Sequence, residues 1–230
     1  MSDCWQGVTP RQAEQLAAYR DLILESNRKF NLTALRDAES IDGRLIAESL
    51  RLAPFLPNRP GSRAIDIGTG SGIPGIPLAI LRPDIAFTLL DSTGKKVRFI
   101  ELVVDQLELP NVTAIHDRAE TLAHNADHRE RYDLGVARAV TELAALAELI
   151  LPYLTIGGRA LLPKGEELSE ELSRAESAIA ILGGTLENAA LLPQVSCCGM
   201  TRLVILDKIG PSLVRYPRRP GIPEHDPLGG

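Results

Sequence analysis

A glycine-rich turn that follows a short apolar run limits how this chain can fold more than any other segment. The run Arg63–Ile67 leads into Gly68-Thr69-Gly70-Ser71-Gly72, and an apolar segment beyond Gly75 can continue as a helix. Glycine adopts backbone conformations that other residues avoid, and it lets a ligand approach the chain closely. The amino end of the next helix also offers free amide groups. We therefore predict a ligand-binding turn at the carboxyl edge of an open α/β sheet.

The rest of the central region alternates short apolar runs with helical patterns, as parallel strands joined by crossover helices do. The predicted strands are Arg63–Ile67, Ile85–Leu90, Val112–Ile115, Tyr132–Ala137 and Arg159–Pro163. Helices are predicted at Lys95–Glu108, Val140–Leu154 and about Glu166–Leu182, and an antiparallel pair at Leu186–Leu192 and Thr201–Leu206. The pattern predicts a Rossmann-like α/β fold with a seven-stranded, mostly parallel sheet and helices on both faces.

The two ends of the chain do not follow this alternation. Thr9-Pro10-Arg11-Gln12 predicts the start of a helix of about 20 residues, with Arg28 and Lys29 in its last turn. A second helix is predicted over about Ala38–Leu56, and the Pro- and Arg-rich tail from Gly210 is expected to be extended. We therefore divide the chain into an N-terminal helical cap (1–60), a central domain (61–208) and an extended basic tail (209–230).

Composition excludes several classes of protein. No run of about 18 apolar residues and no secretory signal is present, so we expect a cytoplasmic protein outside the membrane. The cysteines Cys4, Cys197 and Cys198 form neither a disulfide framework nor a zinc-binding spacing, so we expect no metal. A net charge of −5 argues against unspecific coating of nucleic acid, and any RNA site has to be a local basic patch. We expect a monomer.

Two carboxylates distinguish between the ligands that such a turn can hold. Asp66 stands two residues before Gly68, and the resulting Asp-x-Gly-x-Gly-x-Gly is the form found in methyltransferases that use S-adenosylmethionine. Asp91 closes the second predicted strand, where a carboxylate can accept both ribose hydroxyls. Gly70-x-Gly72-x-x-Gly75 also matches the dinucleotide fingerprint, so an NAD(P)-dependent oxidoreductase remains an alternative.

Later strand ends add further candidates. Ala119-Glu120 follows the third strand, at the place where a loop would frame an adenine ring. Arg138 follows the fourth strand, which puts it at the edge of the cleft beside the transferred methyl group. Burying an arginine without a partner is costly, which favours a functional role there.

The residues that are missing narrow the chemistry. Methylation of a pyrimidine carbon needs a cysteine nucleophile, and none lies near the fourth or fifth strand. Methylation of an exocyclic amine usually employs an Asn- or Asp-Pro-Pro-aromatic turn, where this chain has Ala-Arg-Ala-Val. A ring nitrogen such as N7 of guanine has a free lone pair, so proximity, alignment and stabilisation of the base suffice.

Basic residues near the predicted cleft and in the tail are candidates for RNA contact. Lys95, Lys96 and Arg98 follow Asp91, although a charge run on a helix is more often a solvated face. In the tail, the arginines alternate with prolines at Arg215, Arg218 and Arg219. A non-catalytic RNA-binding module with the same fold is a further alternative.

Several separated motifs resemble the bacterial 16S ribosomal RNA guanine-N7 methyltransferases, also called the glucose-inhibited division protein B family. They are Asn27–Leu35, Asp66–Ile80 with its Gly-x-Pro-Gly-x-Pro extension, Leu89–Phe99, Arg118-Ala119-Glu120, Ala137-Arg138-Ala139, Pro163-Lys164-Gly165 and Tyr216-Pro217-Arg218-Arg219. The chain departs from the family pattern Arg-His-x-x-Asp-Ser, because it reads Arg44-Leu45-Ile46-Ala47-Glu48-Ser49 and lacks the histidine.

This resemblance implies a class I methyltransferase fold, S-adenosylmethionine as cofactor, and 16S ribosomal RNA or a precursor of the small ribosomal subunit as partner. The family target is guanine 527. The residues implied to contact the cofactor are Gly68, Ile73, Asp91, Ser92, Thr93, Ala119, Glu120 and Arg138. The residues implied to contact RNA are Lys164, Arg202 and the basic tail.

Overall fold

A seven-stranded sheet forms the centre of the protein, in the order β3-β2-β1-β4-β5-β7-β6. The computed structural model describes residues 5, 7–29, 31–165, 167–192 and 198–229. Strands β1 to β5 run parallel, and β7 lies antiparallel between β5 and β6. The strands are β1 (Arg63–Ile67), β2 (Ala86–Asp91), β3 (Val112–His116), β4 (Tyr132–Val136), β5 (Leu154–Lys164), β6 (Gly184–Leu191) and β7 (Arg202–Lys208). The predicted sheet, with its terminal antiparallel pair, is confirmed.

Helices cover both faces of this sheet. They are α1 (Pro10–Asn27), α2 (Ala38–Ile41), α3 (Glu48–Leu50), α4 (Gly75–Leu81), α5 (Gly94–Gln106), α6 (Ala119–Leu122), α7 (Leu143–Ile150), α8 (Ser169–Ile181) and α9 (Ile222–His225). Because side chains alternate along a strand, Ala64 of β1 faces a core built with α1, α4 and α5, whereas Ile65 and Ile67 face a core built with α7 and α8.

The first helix begins as its sequence predicts. Thr9 and Gln12 form a reciprocal capping box, in which each side chain bonds the other residue's backbone amide. The helix ends at Asn27, so Arg28 and Lys29 lie beyond its last turn, not within it.

The second predicted helix, over about Ala38–Leu56, is wrong as a single element. Asp37 caps α2, a π-helix at Asp42–Ala47 separates α2 from α3, and a short 3₁₀ helix at Ala53–Phe55 ends the segment. Pro54 has no backbone amide to donate, so a regular α-helix cannot run through to Leu56.

The order of the strands creates a crevice at the carboxyl end of β1. This strand pairs with β2 on one side and with β4 on the other. The chain first forms β2 and β3 on one side of β1 and then crosses back to form β4 and β5 on the other side. Ligands of open α/β sheets bind at such a switch point. The loop after β4 extends to residue 142, because α7 begins at Leu143 and not at Val140 as predicted.

The tail beyond β7 folds back onto the sheet domain. It contains the one-turn helix α9, so the expectation of a purely extended tail is wrong at that point. Cys198 is buried, whereas Cys4 and Cys197 lie outside the described residues. Within the described part of the chain, no helix is both long and apolar enough to cross a membrane.

Candidate active site

The side chain of Asp66 organises the glycine turn from inside the protein. Its Oδ2 accepts hydrogen bonds from Thr69 Oγ1 at 2.7 Å and from the Gly75 amide at 2.8 Å. Burial raises the pKa of this carboxyl from its ordinary 3.8 to about 7. Its Oδ1 is buried and has no hydrogen-bond partner. An orphaned acceptor beside the turn suits a donor or a positive charge that a ligand brings.

The glycines of the turn are required by its backbone and by its close packing. Gly68, Gly70 and Gly72 have φ angles of +65°, +63° and +93°, in the left-handed region that favours glycine. A Cβ added at Gly68 would lie 2.9 Å from Val140 Cγ2, and one at Gly72 would lie 2.5 Å from Ile76 Cγ1. The turn therefore cannot accept side chains without moving its neighbours.

Side chains of helix α1 form hydrogen bonds with the glycine turn and with helix α4, which follows the turn. Tyr19 is fully buried, and its hydroxyl donates a hydrogen bond of 2.6 Å to the carbonyl of Ser71. The Gln12 amide donates to the carbonyls of Ile80 and Leu81 at the end of α4, at 3.1 and 3.2 Å. The N-terminal region therefore fixes the glycine turn.

Asp91 joins the end of β2 to the same turn. Its Oδ2 accepts a hydrogen bond of 2.9 Å from the Gly70 amide, and its Oδ1 accepts one of 2.8 Å from the Thr93 amide. Lys96 Nζ lies 3.6 Å from Oδ2. An ionised carboxylate offers about four acceptor positions, so Asp91 retains capacity for a ligand hydroxyl.

A cleft runs along the carboxyl ends of β1, β2 and β3. Its lining consists of Ile67, Gly68, Leu90, Asp91, Ser92, Asp117, Arg118, Ala119, Glu120, Val140, Leu149 and Glu224. The cleft encloses about 70 Å³, far less than the roughly 300 Å³ or more of most ligand pockets. Val140 lines this cleft and lies where a Cβ on Gly68 would be, so the loop after β4 forms part of the cleft wall.

The loop after β3 is fixed by internal contacts. The Glu120 carboxylate is 2% exposed, and it accepts hydrogen bonds from Arg118 Nη2 at 3.0 Å and from the Gly221 amide at 2.8 Å. Burial opposes ionisation of Glu120, yet these two donors hold its pKa below the ordinary value. Tyr153 donates a hydrogen bond of 2.7 Å to the Ala119 carbonyl. Glu120 is therefore a carboxylate that is held in the wall of the cleft by hydrogen bonds from Arg118 and Gly221.

The residues predicted to contact the cofactor fall into two groups. Gly68, Asp91, Ser92, Ala119 and Glu120 line the cleft together. The others lie outside this lining: Asp66, Gly70 and Gly72 shape the turn, Ile73 is buried in the core, Thr93 is exposed, and Arg138 is on the neighbouring loop.

Arg138 lies in the loop after β4 and is paired with the N-terminal region. Its Nη2 donates a hydrogen bond of 2.6 Å to Glu48 Oε2, at the start of α3. Thr201 donates to the other oxygen of Glu48. Arg138 Nη1 is buried and has no partner. The described residues supply no acceptor for this buried donor, so its hydrogen-bonding capacity is unused within the protein.

Lys164, at the end of β5, holds the other end of the same loop. Its ammonium donates 2.8 Å to the Thr141 carbonyl and 2.7 Å to Glu171 Oε1. Glu171 also accepts a hydrogen bond from the Leu143 amide. The loop from 138 to 142 is therefore held at one end by Arg138 and at the other by Lys164.

The remaining basic residues differ in how free they are. Lys95, Arg215 and Arg219 are exposed, and Arg215 lies over the ring of Tyr216 at 5.0 Å. Arg202 is half-buried and donates to the Ala189 carbonyl at 3.4 Å. The guanidinium of Arg218 pairs instead with Glu148 at 2.8 Å, inside the fold.

Three residues around the cleft were not predicted from the sequence to belong to the site. Tyr19 is apparent in the sequence only as part of an apolar helical stripe, although its hydroxyl is a polar group that needs a partner. Glu48 occupies the acidic position of the family pattern that lacks its histidine, which was the available signal. Glu224 lies in the tail, and no local pattern indicates that it reaches the cleft. Among the described residues, no group of His, Cys, Asp or Glu is arranged to hold a metal.

Comparison of the sequence with known proteins gives a consistent result. A family model described as rRNA small subunit methyltransferase G matches residues 12–196. The Ribosomal RNA small subunit methyltransferase G of Roseiflexus sp. (strain RS-1) is 42% identical over 220 residues, which cover 95% of this chain and 92% of that protein. The protein of the same name from Pelotomaculum thermopropionicum is 41% identical over 221 residues, covering 96% and 92%.

Solved structures share the fold at low identity. TrmN from Thermus thermophilus is 21% identical, with a TM-score of 0.56 over 80% of this chain and 53% of that one. M. jannaschii TYW2, solved in complex with AdoMet, is 16% identical, with a TM-score of 0.54 over 71% and 76%. The architecture is the Rossmann-like class I methyltransferase fold.

Proposed function

Because the chain belongs to the rRNA small subunit methyltransferase G family, we propose that it transfers the methyl group of S-adenosylmethionine to N7 of a guanine in 16S ribosomal RNA. At the coarser level it is a ribosomal RNA methyltransferase that uses S-adenosylmethionine. Guanine 527, the target of the family, is the base that we propose for this chain.

One observation carries the proposal: the glycine turn and Asp91 meet at the switch point of the sheet through the 2.9 Å bond from Gly70. The residues fit S-adenosylmethionine. The turn approaches a ligand without side chains, the orphaned Oδ1 of Asp66 suits a cationic group, and Asp91 can accept from a ribose. When bound, S-adenosylmethionine supplies an electrophilic methyl group on a positively charged sulfur.

The chemistry demanded of the protein is modest. N7 of guanine presents its own lone pair, so no base has to remove a proton before attack. The ring becomes positively charged as the bond forms, and the protein has to align the base and exclude water. We propose that Arg138 orients the guanine, with its buried Nη1 donating to an acceptor such as O6.

RNA has to reach this edge of the sheet across basic residues. We assign the backbone contacts first to Lys95, Arg215 and Arg219, because these three are exposed. Contacts by Lys96, Lys164, Arg202 and Arg218 remain proposals for side chains that already bond within the protein. We further propose that the enzyme is a cytoplasmic monomer without a metal, acting on 16S RNA or on the assembling small subunit.

The proposal is tested by binding and by mapping the product. Calorimetry should detect binding of S-adenosylmethionine and no binding of NADH. Binding of NADH without binding of S-adenosylmethionine would indicate an oxidoreductase. The purified chain is then incubated with labelled cofactor and unmodified 16S RNA, small subunits or their precursors. Cleavage at N7-methylguanine should appear at one position. Cofactor binding without methylation of any of these substrates would indicate a non-catalytic RNA-binding module.

A further inference from the structure

The C-terminal tail contributes to the wall of the cofactor cleft. Glu224, in α9, lines the cleft together with Asp91, Ala119 and Glu120. The loop after β4, which also lines the cleft through Val140, precedes Glu224 in the sequence by more than 70 residues. The family model matches residues 12–196, so this part of the wall lies beyond the matched region.

Charged contacts attach the tail to the domain. Glu148 of α7 is fully buried, and its carboxylate accepts hydrogen bonds from the Arg218 amide at 2.6 Å and from Arg218 Nη2 at 2.8 Å. A buried carboxylate is costly unless it is paired, so removal of the tail would leave Glu148 uncompensated. The domain therefore favours the docked tail.

Backbone groups of the tail are bonded in the same way. Arg129 donates to the carbonyls of Ser212 and Tyr216, at 2.9 and 2.8 Å, and His124 contacts the Pro217 carbonyl at 2.8 Å. The three contacts come from two residues, His124 and Arg129, so the tail is bonded to the segment between α6 and β4.

A direct bond connects the tail to the adenine side of the cleft. The Gly221 amide donates to Glu120, the carboxylate that also pairs with Arg118. Glu224 follows Gly221 by three residues. The hydrogen bond to Glu120 raises the pKa of the Arg118 guanidinium, and the charge of Glu224 has a smaller effect in the same direction. The tail is thus bonded to the loop that follows β3, where the cofactor's adenosyl end belongs.

We infer that residues 212–228 complete the S-adenosylmethionine site and that Glu224 is a binding residue for its adenosyl moiety. The inference rests on the proposed function. A carboxylate at this end of the cleft accepts from the donors of an adenosyl group, whose exocyclic amine and ribose hydroxyls are its hydrogen-bond donors. Since S-adenosylhomocysteine carries the same adenosyl group, Glu224 acts on both compounds alike.

A tail that only covers the domain makes different predictions. Removal of one exposed carboxylate would then leave ligand affinity unchanged, and ligand would not alter hydrogen exchange in the tail. Glu176 on α8 is an exposed glutamate that does not line the cleft, so E176Q is the matched control.

Calorimetry on the full chain compares wild type, E224Q, E224A and E176Q with S-adenosylmethionine and with S-adenosylhomocysteine. We expect E224Q and E224A to weaken both ligands by about five- to tenfold and E176Q to change neither. Hydrogen exchange with saturating S-adenosylhomocysteine should slow at the amides of residues 221, 222 and 224–226. Wild-type affinity in E224A, or unchanged exchange at those amides, would overturn the inference. If wild type bound neither compound, the proposed function itself would fail.

Discussion

Glu48 accepts a 2.6 Å hydrogen bond from Arg138, although 90 residues separate the two positions in the chain. Both side chains are largely buried, with 13% and 23% of their surface exposed. The pair connects the N-terminal helical region to the loop after β4. One nitrogen of Arg138 is thereby fixed, while the other is left without a partner inside the protein. The arrangement suits an arginine that has to present one donor in a set direction.

Neutralising Glu48 should lower turnover more than it affects cofactor binding. In E48Q the ion pair is lost, and the guanidinium is free to rotate away from the base. We expect kcat to fall about tenfold or more, because a charge-assisted hydrogen bond contributes about 1.5–3 kcal/mol. The KM for S-adenosylmethionine should change less than twofold. Steady-state kinetics on small-subunit RNA measures both quantities.

The exposed Glu101 on α5 provides the control variant, E101Q, which should behave as wild type. R138A should lose at least as much turnover as E48Q while it keeps cofactor affinity. Wild-type kcat in both E48Q and R138A would exclude this role for the pair.

Removal of the Asp91 carboxylate should weaken the cofactor site. D91A loses the proposed ribose acceptor and also the bonds to Gly70 and Thr93. We expect the binding free energy of S-adenosylmethionine to weaken by about 1.5–3 kcal/mol. This change corresponds to a rise in Kd of roughly 10- to 150-fold. Calorimetry checks this change, and an unchanged Kd would count against the site.

The buried carboxyl of Asp66 should make stability depend on pH. Its pKa is about 7 in the folded protein against an ordinary 3.8, so the folded chain binds more protons between these values. The contribution of Asp66 to the stability of the wild-type protein therefore falls as the pH rises from about 4 to 7. The unfolding free energy of D66N, minus that of wild type, should increase by about 4 kcal/mol across that window and then level off. Urea titrations at a series of pH values test this, and a flat difference would contradict the raised pKa.

The Tyr19 hydroxyl should matter for the ligand more than an ordinary buried hydroxyl does. Y19F leaves the Ser71 carbonyl without its donor and loosens the glycine turn. We expect a stability loss of about 1–2 kcal/mol and a three- to tenfold rise in the Kd of S-adenosylmethionine. Y132F removes a hydroxyl that bonds Thr88, away from the turn, and should cost stability alone. Equal affinity of Y19F and Y132F for S-adenosylmethionine would argue against a role of the Tyr19 hydroxyl in holding the glycine turn.

The tail arginines should separate into two kinds. Arg215 and Arg219 are exposed, so R215A/R219A should weaken RNA binding and reduce its salt dependence by about one unit of slope per arginine, with the melting temperature unchanged. R218A should instead lower the melting temperature, because it leaves the buried Glu148 unpaired. Filter binding at several salt concentrations, together with thermal melts, distinguishes the two. A melting temperature lowered by R215A/R219A would contradict the division.

The sheet could be predicted from the sequence because its signals are local. Apolar runs bounded by turns gave β1 at Arg63–Ile67 with its observed ends, and the glycine turn placed the cleft. Capping chemistry likewise placed the N-cap of α1 at Thr9. In each case a few neighbouring residues carry enough physical information to decide the structure.

The contacts that complete the site could not be predicted, because they join residues far apart in the chain. Nothing near Glu48 indicates that Arg138 is its partner, and nothing near Arg218 reveals the buried Glu148. The alternation of arginine and proline predicted an extended tail whose arginines contact RNA, whereas Arg218 pairs with the buried Glu148. The second helix failed for a local reason: Pro54 interrupts it earlier than Pro57 does.

The docked tail also has a consequence for the order in which the protein is made. Glu224, which lines the cleft, follows Gly72 of the glycine turn by 152 residues, so the turn emerges from the ribosome first. A growing polypeptide can therefore form the sheet while one side of its cleft is still open. The cleft wall is complete only after the segment that contains Gly221 has been made and has bonded Glu120.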